Sequence, residues 1–113
     1  MNNKDQVVLK KIVGYCNDIE TLLNRYDRSF EKYKADIAFQ YSINMCIIQI
    51  GELVTRLSDE VKQKNAQIPW NEIRAMRNLH AHDYENVDFS IVWHTVVQDI
   101  PELKDQILSI YSE

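Results

Sequence analysis

The stretch RNLHAHDY, residues 77–84, gathers an arginine, an asparagine, two histidines and a tyrosine within two helical turns. Arg77 is a permanent cation whose forked donors suit phosphate oxygens. His82 titrates near neutral pH and can exchange a proton during a reaction. Asn78 can orient a neighbour or donate to a developing charge, and Tyr84 offers a hydroxyl as donor, stacking face or modification site. This inventory suits cleavage of a phosphodiester without a metal. A simpler account competes with it: arginine and histidine near a helix C-terminus favour the negative end of the dipole, and Tyr84 can bury its ring while its hydroxyl stays wet. Helical geometry adds a constraint. At about 100° per residue, Arg77, His80 and Tyr84 share a face, whereas His82 lies roughly 140° from Arg77. His82 joins Arg77 only if the helix ends or distorts there, or if an interface completes the site.

The elements that must hold these residues read as helices. Ile12, Cys16, Ile19, Leu23 and Tyr26 recur at spacings of three and four, so a helix is predicted from Asp5 to Tyr26. The polar DRSFEKYKAD that follows can hold a turn, with Asp27 or Ser29 capping the next helix. From Ile37 to Leu57 the chain is apolar around most of a helix: Ile37, Tyr41 and Ile48 mark one stripe, and Phe39, Cys46, Ile50, Leu53 and Leu57 another. Such a helix needs cover on more than one side, from its own chain and from a second copy. Ser58 caps a short helix anchored by Val61. Pro69 and Trp70 open the helix that carries Arg77, since proline lacks an N–H that a first turn leaves unpaired anyway. Asp88 is the next N-cap, Ile91, Val92, Thr95 and Val96 form an apolar face, and Leu103, Ile107, Leu108 and Ile110 continue it. Pro101 between them should kink or split that element.

With 113 residues, 45% of them hydrophobic and 27% charged, the chain suits one domain over residues 1–113 with a packed core. Only two glycines and two prolines leave few breakers for strands and hairpins. The expected architecture is all-α, an antiparallel four-helix bundle with a short extra helix and a kinked C-terminal helix. Cys16 and Cys46 read as reduced core residues. No N-terminal signal and no apolar run of membrane-spanning length is evident, so a cytoplasmic protein without membrane attachment is expected. A net charge of -4 gives no global case for nucleic acid, so any such partner needs a local patch.

Other polar residues admit two readings. Glu52 lies in the apolar second helix; if buried it needs a partner, which Arg77 or another chain can supply, and otherwise it lies on a solvated face. His80 is assigned a surface or supporting role. A zinc site from His80, His82 and His94 lacks the ligand spacing of strong zinc motifs, and neither metal nor cofactor is expected. Trp70 and Trp93 read as core or interface anchors rather than stacking platforms. The acidic run from Asp83 to Asp88 is a solvated turn or a surface for a basic partner.

The spacing of Arg77, His82 and Tyr84 resembles the R-x4-H-x-Y signature of HepT-like toxins, a branch of the HEPN superfamily of helical ribonucleases. IQIGELVTRLSDEVK, PWNEIRAMRNLHAHDYENVD and IVWHTVVQDIPELKDQI are similar in order and spacing to the family's segments, so the likeness spans nearly the whole chain. The resemblance implies a HEPN-like bundle that forms a homodimer, with an RNA-cleaving cleft where two motifs approach. It implies Arg77 and His82 as the catalytic pair with Asn78 in support. It further implies a toxin paired with a nucleotidyltransferase antitoxin of the MNT type, which silences it by transferring AMP to Tyr84. Cleavage would use the ribose 2′-hydroxyl and leave a 2′,3′-cyclic phosphate and a 5′-hydroxyl. The alternative is a non-catalytic helical module that binds a nucleotidyltransferase, since some HEPN proteins are inactive.

Overall fold

Apolar residues at helical spacing dictate most of the architecture. A computed structural model describes residues 1–82 and 88–111, with the backbone alone described for 79–82. The elements are α1 (Asn3–Arg25), α2 (Phe30–Ala35), α3 (Ile37–Val54), α4 (Asp59–Lys64), α5 (Trp70–His82), α6 (Phe89–His94), a π-helical turn (Thr95–Asp99) and α7 (Ile100–Tyr111). Every regular element among the described residues is helical, and the fold is an all-α bundle. α3 is the central helix, packed on α1 along one flank and on α5 along another, and α1 also meets α7.

α1 begins two residues before its expected start because the Asn2 side chain accepts the Asp5 N–H at 2.7 Å, a standard N-cap contact. Ile12, Cys16, Ile19 and Leu23 are buried as their spacing predicts. Each fully buried Ile or Leu contributes about 1.5–3 kcal/mol. The carboxylate of Asp5, itself buried, accepts the Ser58 N–H at 2.9 Å and the Ser58 hydroxyl at 2.6 Å. The same hydroxyl caps α4, so one residue ties the start of α1 to the start of α4.

The DRSFEKYKAD segment departs from the expected simple turn. Asp27 and Arg28 reverse the chain in the left-handed region, at φ of 59° and 51°. Ser29 then caps a helix of its own, α2, and Asp36 caps α3. The cause is aromatic. Tyr33 is fully buried, stands edge-on to Phe39 and Phe89 at 5.4 and 5.5 Å, and donates its hydroxyl to Asn44 at 3.0 Å. Trp93 joins this cluster and Trp70 is buried with its Nε1 donating to the Asn65 carbonyl, so both tryptophans are core anchors.

α3 ends at Val54, and Leu57 is buried just beyond it. By length and composition α3 is apolar enough to cross a membrane, contrary to the sequence expectation, yet much of its apolar surface is the core of this bundle. Of the two stripes, Phe39, Cys46, Ile50 and Leu53 face inward, whereas Ile37 and Tyr41 are exposed and Ile48 is half-buried.

Asp88 caps α6 as expected, accepting the Ser90 and Ile91 N–H groups. Val92 and Val96 are buried, but Ile91 is exposed and does not belong to the inward face. Pro101 neither splits nor ends the element, because helical backbone runs from Phe89 to Tyr111. The π-helical turn absorbs the disruption: the Ile100 N–H bonds to the Thr95 carbonyl, five residues back. Leu103, Ile107 and Ile110 continue the core, while Leu108 lies outward.

Candidate active site

The site is built where α5 crosses α3. Trp70 and Ile73 anchor the first turns of α5 in the core, and the next residues on that side are Met76 and Arg77. The crossing is close because α3 presents Gly51. A β-carbon there would lie 2.8 Å from the Arg77 Cβ, 3.0 Å from the Arg77 nitrogen and 3.2 Å from the Ile73 carbonyl. Only the absence of a side chain lets α5 approach this near.

That approach sets the position of Arg77 beside Glu52, the residue after Gly51. Arg77 Nη1 donates to Glu52 Oε2 at 2.8 Å, and Nη2 donates to Asn78 Oδ1 at 2.9 Å. The pair lies at the surface, with the Arg77 side chain 34% and the Glu52 side chain 39% exposed. The hydrogen bond from Arg77 holds the Glu52 carboxyl below the usual carboxylate range, against the opposing effect of desolvation; the Arg77 and Arg56 charges add to the lowering. Of the two readings open for Glu52, the structure selects Arg77 as its partner within the same chain. Among the described residues, these two contacts engage two of the five N–H groups that a guanidinium carries. A held, partly exposed guanidinium of this kind can receive an anionic oxygen while one arm stays anchored.

Arg77, Asn78 and Glu52 are thus brought together. His80 and His82 lie further along α5, which is α-helical through His82. The backbone at His82 is therefore about 140° around the axis from Arg77 and about 7.5 Å along it. The side chains of His80 and His82, and all of residues 83–87 including Tyr84, lie outside the described residues. So does the three-histidine zinc grouping apart from His94, whose Nδ1 is 3.8 Å from Asp99 Oδ2 at the surface. Among the described residues no group of His, Cys, Asp and Glu is placed to hold a metal.

Two contributors were missed in the sequence. Gly51 carried only a weak signal, an isolated glycine inside an apolar helical run, where it costs about 1 kcal/mol relative to alanine and so invites a packing reason. Arg56 stands one helical turn after Glu52 and adds a second cation to the site. The i, i+4 spacing of Glu52 and Arg56 could have revealed it.

Comparison with known proteins supplies the family. Residues 12–110 match the family described as ribonuclease HepT-like. A probable ribonuclease HepT of Thermococcus cleftensis is 35% identical over 95 residues, covering 80% of this chain and 86% of its own. A candidate RNase of Methanocaldococcus jannaschii is 30% identical over 105 residues, 93% of this chain and 89% of its own. Another, of Caldanaerobacter subterraneus subsp. tengcongensis, is 35% identical over 82 residues, 73% of each chain. No solved structure gives a significant match. With the family's span covering α3, the Arg77 helix and the π-helical turn alike, the chain is a member of the HepT-like ribonuclease family.

Proposed function

We propose that the protein is a metal-independent RNA endonuclease, the toxin of a toxin–antitoxin pair, acting in the cytoplasm. The observation that carries this reading is the Arg77 guanidinium, anchored by Glu52 at the surface of a chain of ribonuclease family. In the proposed reaction the ribose 2′-oxygen bonds to phosphorus as the P–O5′ bond breaks. His82 takes the 2′-hydroxyl proton and a proton is returned to the departing 5′-oxygen, giving a 2′,3′-cyclic phosphate and a 5′-hydroxyl. Arg77 stabilises charge on the phosphoryl oxygens, and Asn78 supports its orientation. DNA, lacking the 2′-hydroxyl, is not cut.

A homodimer completes the site in this reading. Ile37 and Met45 are both 60% exposed, and they lie with half-buried Ile48 and Glu52 within roughly 80° of arc on α3. No charged residue interrupts α3 between Asp36 and Glu52. A charge-free apolar stripe that ends at Glu52 favours a second copy beside the arginine, able to supply the other histidine. The partner antitoxin is a nucleotidyltransferase of the MNT type, and AMP on Tyr84 inhibits by bulk and by negative charge near the arginine. A second reading, a non-catalytic module binding that nucleotidyltransferase, is favoured by one observation: α5 stays helical through His82, which keeps Arg77 and His82 on different faces of a single chain.

Purified protein incubated with labelled RNA and EDTA separates the two. Cleavage that survives the chelator and disappears in both Arg77→Ala and His82→Ala, with circular dichroism unchanged, supports the enzyme; intact RNA with unmodified wild-type protein supports the module. Co-expression with a nucleotidyltransferase of the MNT type followed by mass measurement tests Tyr84, since one AMP adds about 329 Da; an unchanged mass removes that part.

A further inference from the structure

A second feature lies along the first turns of α5, lined by Ile73 and Met76 but by neither Glu52 nor Arg77. The first turns of α5, the π-helical turn and α7 enclose a groove of about 220 Å³. Its floor is apolar, made by Ile73, Met76, Ile100 and Leu103, and its rim carries the carboxylates of Glu72, Asp99 and Glu102 with no basic residue in the lining. Among the described residues Glu72 and Glu102 form no ion pair, and Asp99 meets only His94, at 3.8 Å.

The helix dipole at the start of α5 accounts for one of these three carboxylates and not for the other two. Glu72 lies in the first turn of α5, where a carboxylate suits the dipole. Asp99 and Glu102 lie inside a continuous helix, for the Ile100 N–H is already bonded to Thr95 and no free N-terminus faces them. The π-helical turn that forms one wall is itself an element found frequently at functional sites.

We infer that this groove docks a basic amphipathic segment of a protein partner, its apolar side chains on the Ile73–Leu103 floor and its arginine or lysine heads on the three carboxylates. The charge selects the occupant. A phosphate backbone or an anionic lipid surface is repelled by such a rim, whereas a long cationic side chain can lay its methylenes on the floor and its head on the edge. This inference stands apart from the cleavage reading, because none of these residues belongs to the Glu52, Arg77 and Asn78 group.

The test is fluorescence polarisation with a labelled helical peptide carrying leucine and arginine at i, i+3 and i+4 spacing, against the same peptide with glutamate for arginine. Three variants are compared with wild type: Glu72→Gln/Asp99→Asn/Glu102→Gln; Asp18→Asn/Glu20→Gln/Glu31→Gln, which changes net charge equally elsewhere; and Gln106→Trp, which fills the groove without touching its carboxylates. The expected result is binding of the basic peptide alone, weakened at least tenfold by the first variant and by Gln106→Trp and little changed by the second. Equal loss in both charge variants, retained binding in Gln106→Trp, or binding of the acidic peptide overturns the proposal. Concentration-dependent self-association that disappears in the first variant also overturns it, by assigning the groove to a second copy.

Discussion

Replacing Gly51 with alanine sets two effects of known size against each other. Alanine in a helix interior is favoured over glycine by about 0.8–1.0 kcal/mol, so propensity alone predicts a more stable protein. Against this, the new methyl would stand 2.8 Å from the Arg77 Cβ and 3.0 Å from its backbone nitrogen. Carbon atoms settle at about 3.5–4.0 Å, so α5 must retreat from α3 by about 0.7 Å. Neither neighbour is the free end of a flexible chain, and overpacking of this kind costs about 1–3 kcal/mol. The expected net effect is destabilisation by about 1 kcal/mol, a fall in Tm of about 4 °C for a chain of this size. Gly14 is the control, because a Cβ there meets nothing within 4 Å; Gly14→Ala should gain the propensity benefit alone. The two variants should therefore differ by about 2 kcal/mol in urea denaturation, with equal m-values. The retreat also moves Arg77, so RNA cleavage by Gly51→Ala should fall by tenfold or more, beyond what the stability loss explains. If Gly51→Ala matches Gly14→Ala in stability and wild type in cleavage, the close crossing does not position the arginine.

Other consequences can be checked separately. The Glu52 carboxyl should titrate by NMR below 4.5 and return toward that value in Arg77→Ala. Since the folded chain favours its ionised form, the stabilisation is present above the ordinary carboxylate pKa and fades as pH falls through the lower folded value. The stability gap between wild type and Glu52→Gln should accordingly narrow on acidification below 4.5, and a gap that widens there contradicts the assignment. Asp5→Ala leaves the Ser58 N–H without its acceptor in a buried corner and should cost about 2–3 kcal/mol in denaturant titration, with the loss shared by α1 and α4. Burial pushes the Cys16 thiol up to about 12 and the Cys46 thiol up to about 11, so neither should react with a disulfide reagent at pH 8 until the chain is unfolded.

Periodicity and capping chemistry were legible wherever one local rule acted alone. Ser58 with Val61, Asp88, and the α1 stripe of Ile12, Cys16, Ile19 and Leu23 all stand as read, because a cap and an apolar face are properties of a few adjacent residues. α2 was hidden because Tyr33 is buried against Phe89 and Trp93, which are distant in sequence, as well as against nearby Phe39. Asp5 marked only the start of the first predicted helix, and nothing in its neighbours announces Ser58. At the site, the residue types were legible in RNLHAHDY and the partnership of Glu52 with Arg77 was one of the stated options. The glycine that permits it was not assigned, since its effect exists only between two helices. Pro101 signalled a disturbance in the last helix, but the missing N–H does not say which turn will accommodate it.

That accommodation has a further consequence for the chain. Val92, Val96 and Ile100 are spaced by four and four, which on a regular α-helix drifts about 80° around the axis; the π-helical turn brings them back onto one buried line. It behaves as an inserted residue absorbed inside a helix, where length changes are ordinarily confined to loops. Deleting Val97 or Gln98 would leave spacings of four and three, still a single inward face from Val92 to Ile110, but it would set Pro101 against the carbonyl four residues before it in a regular helix, so the seam survives at the expense of the relief the bulge gives that proline.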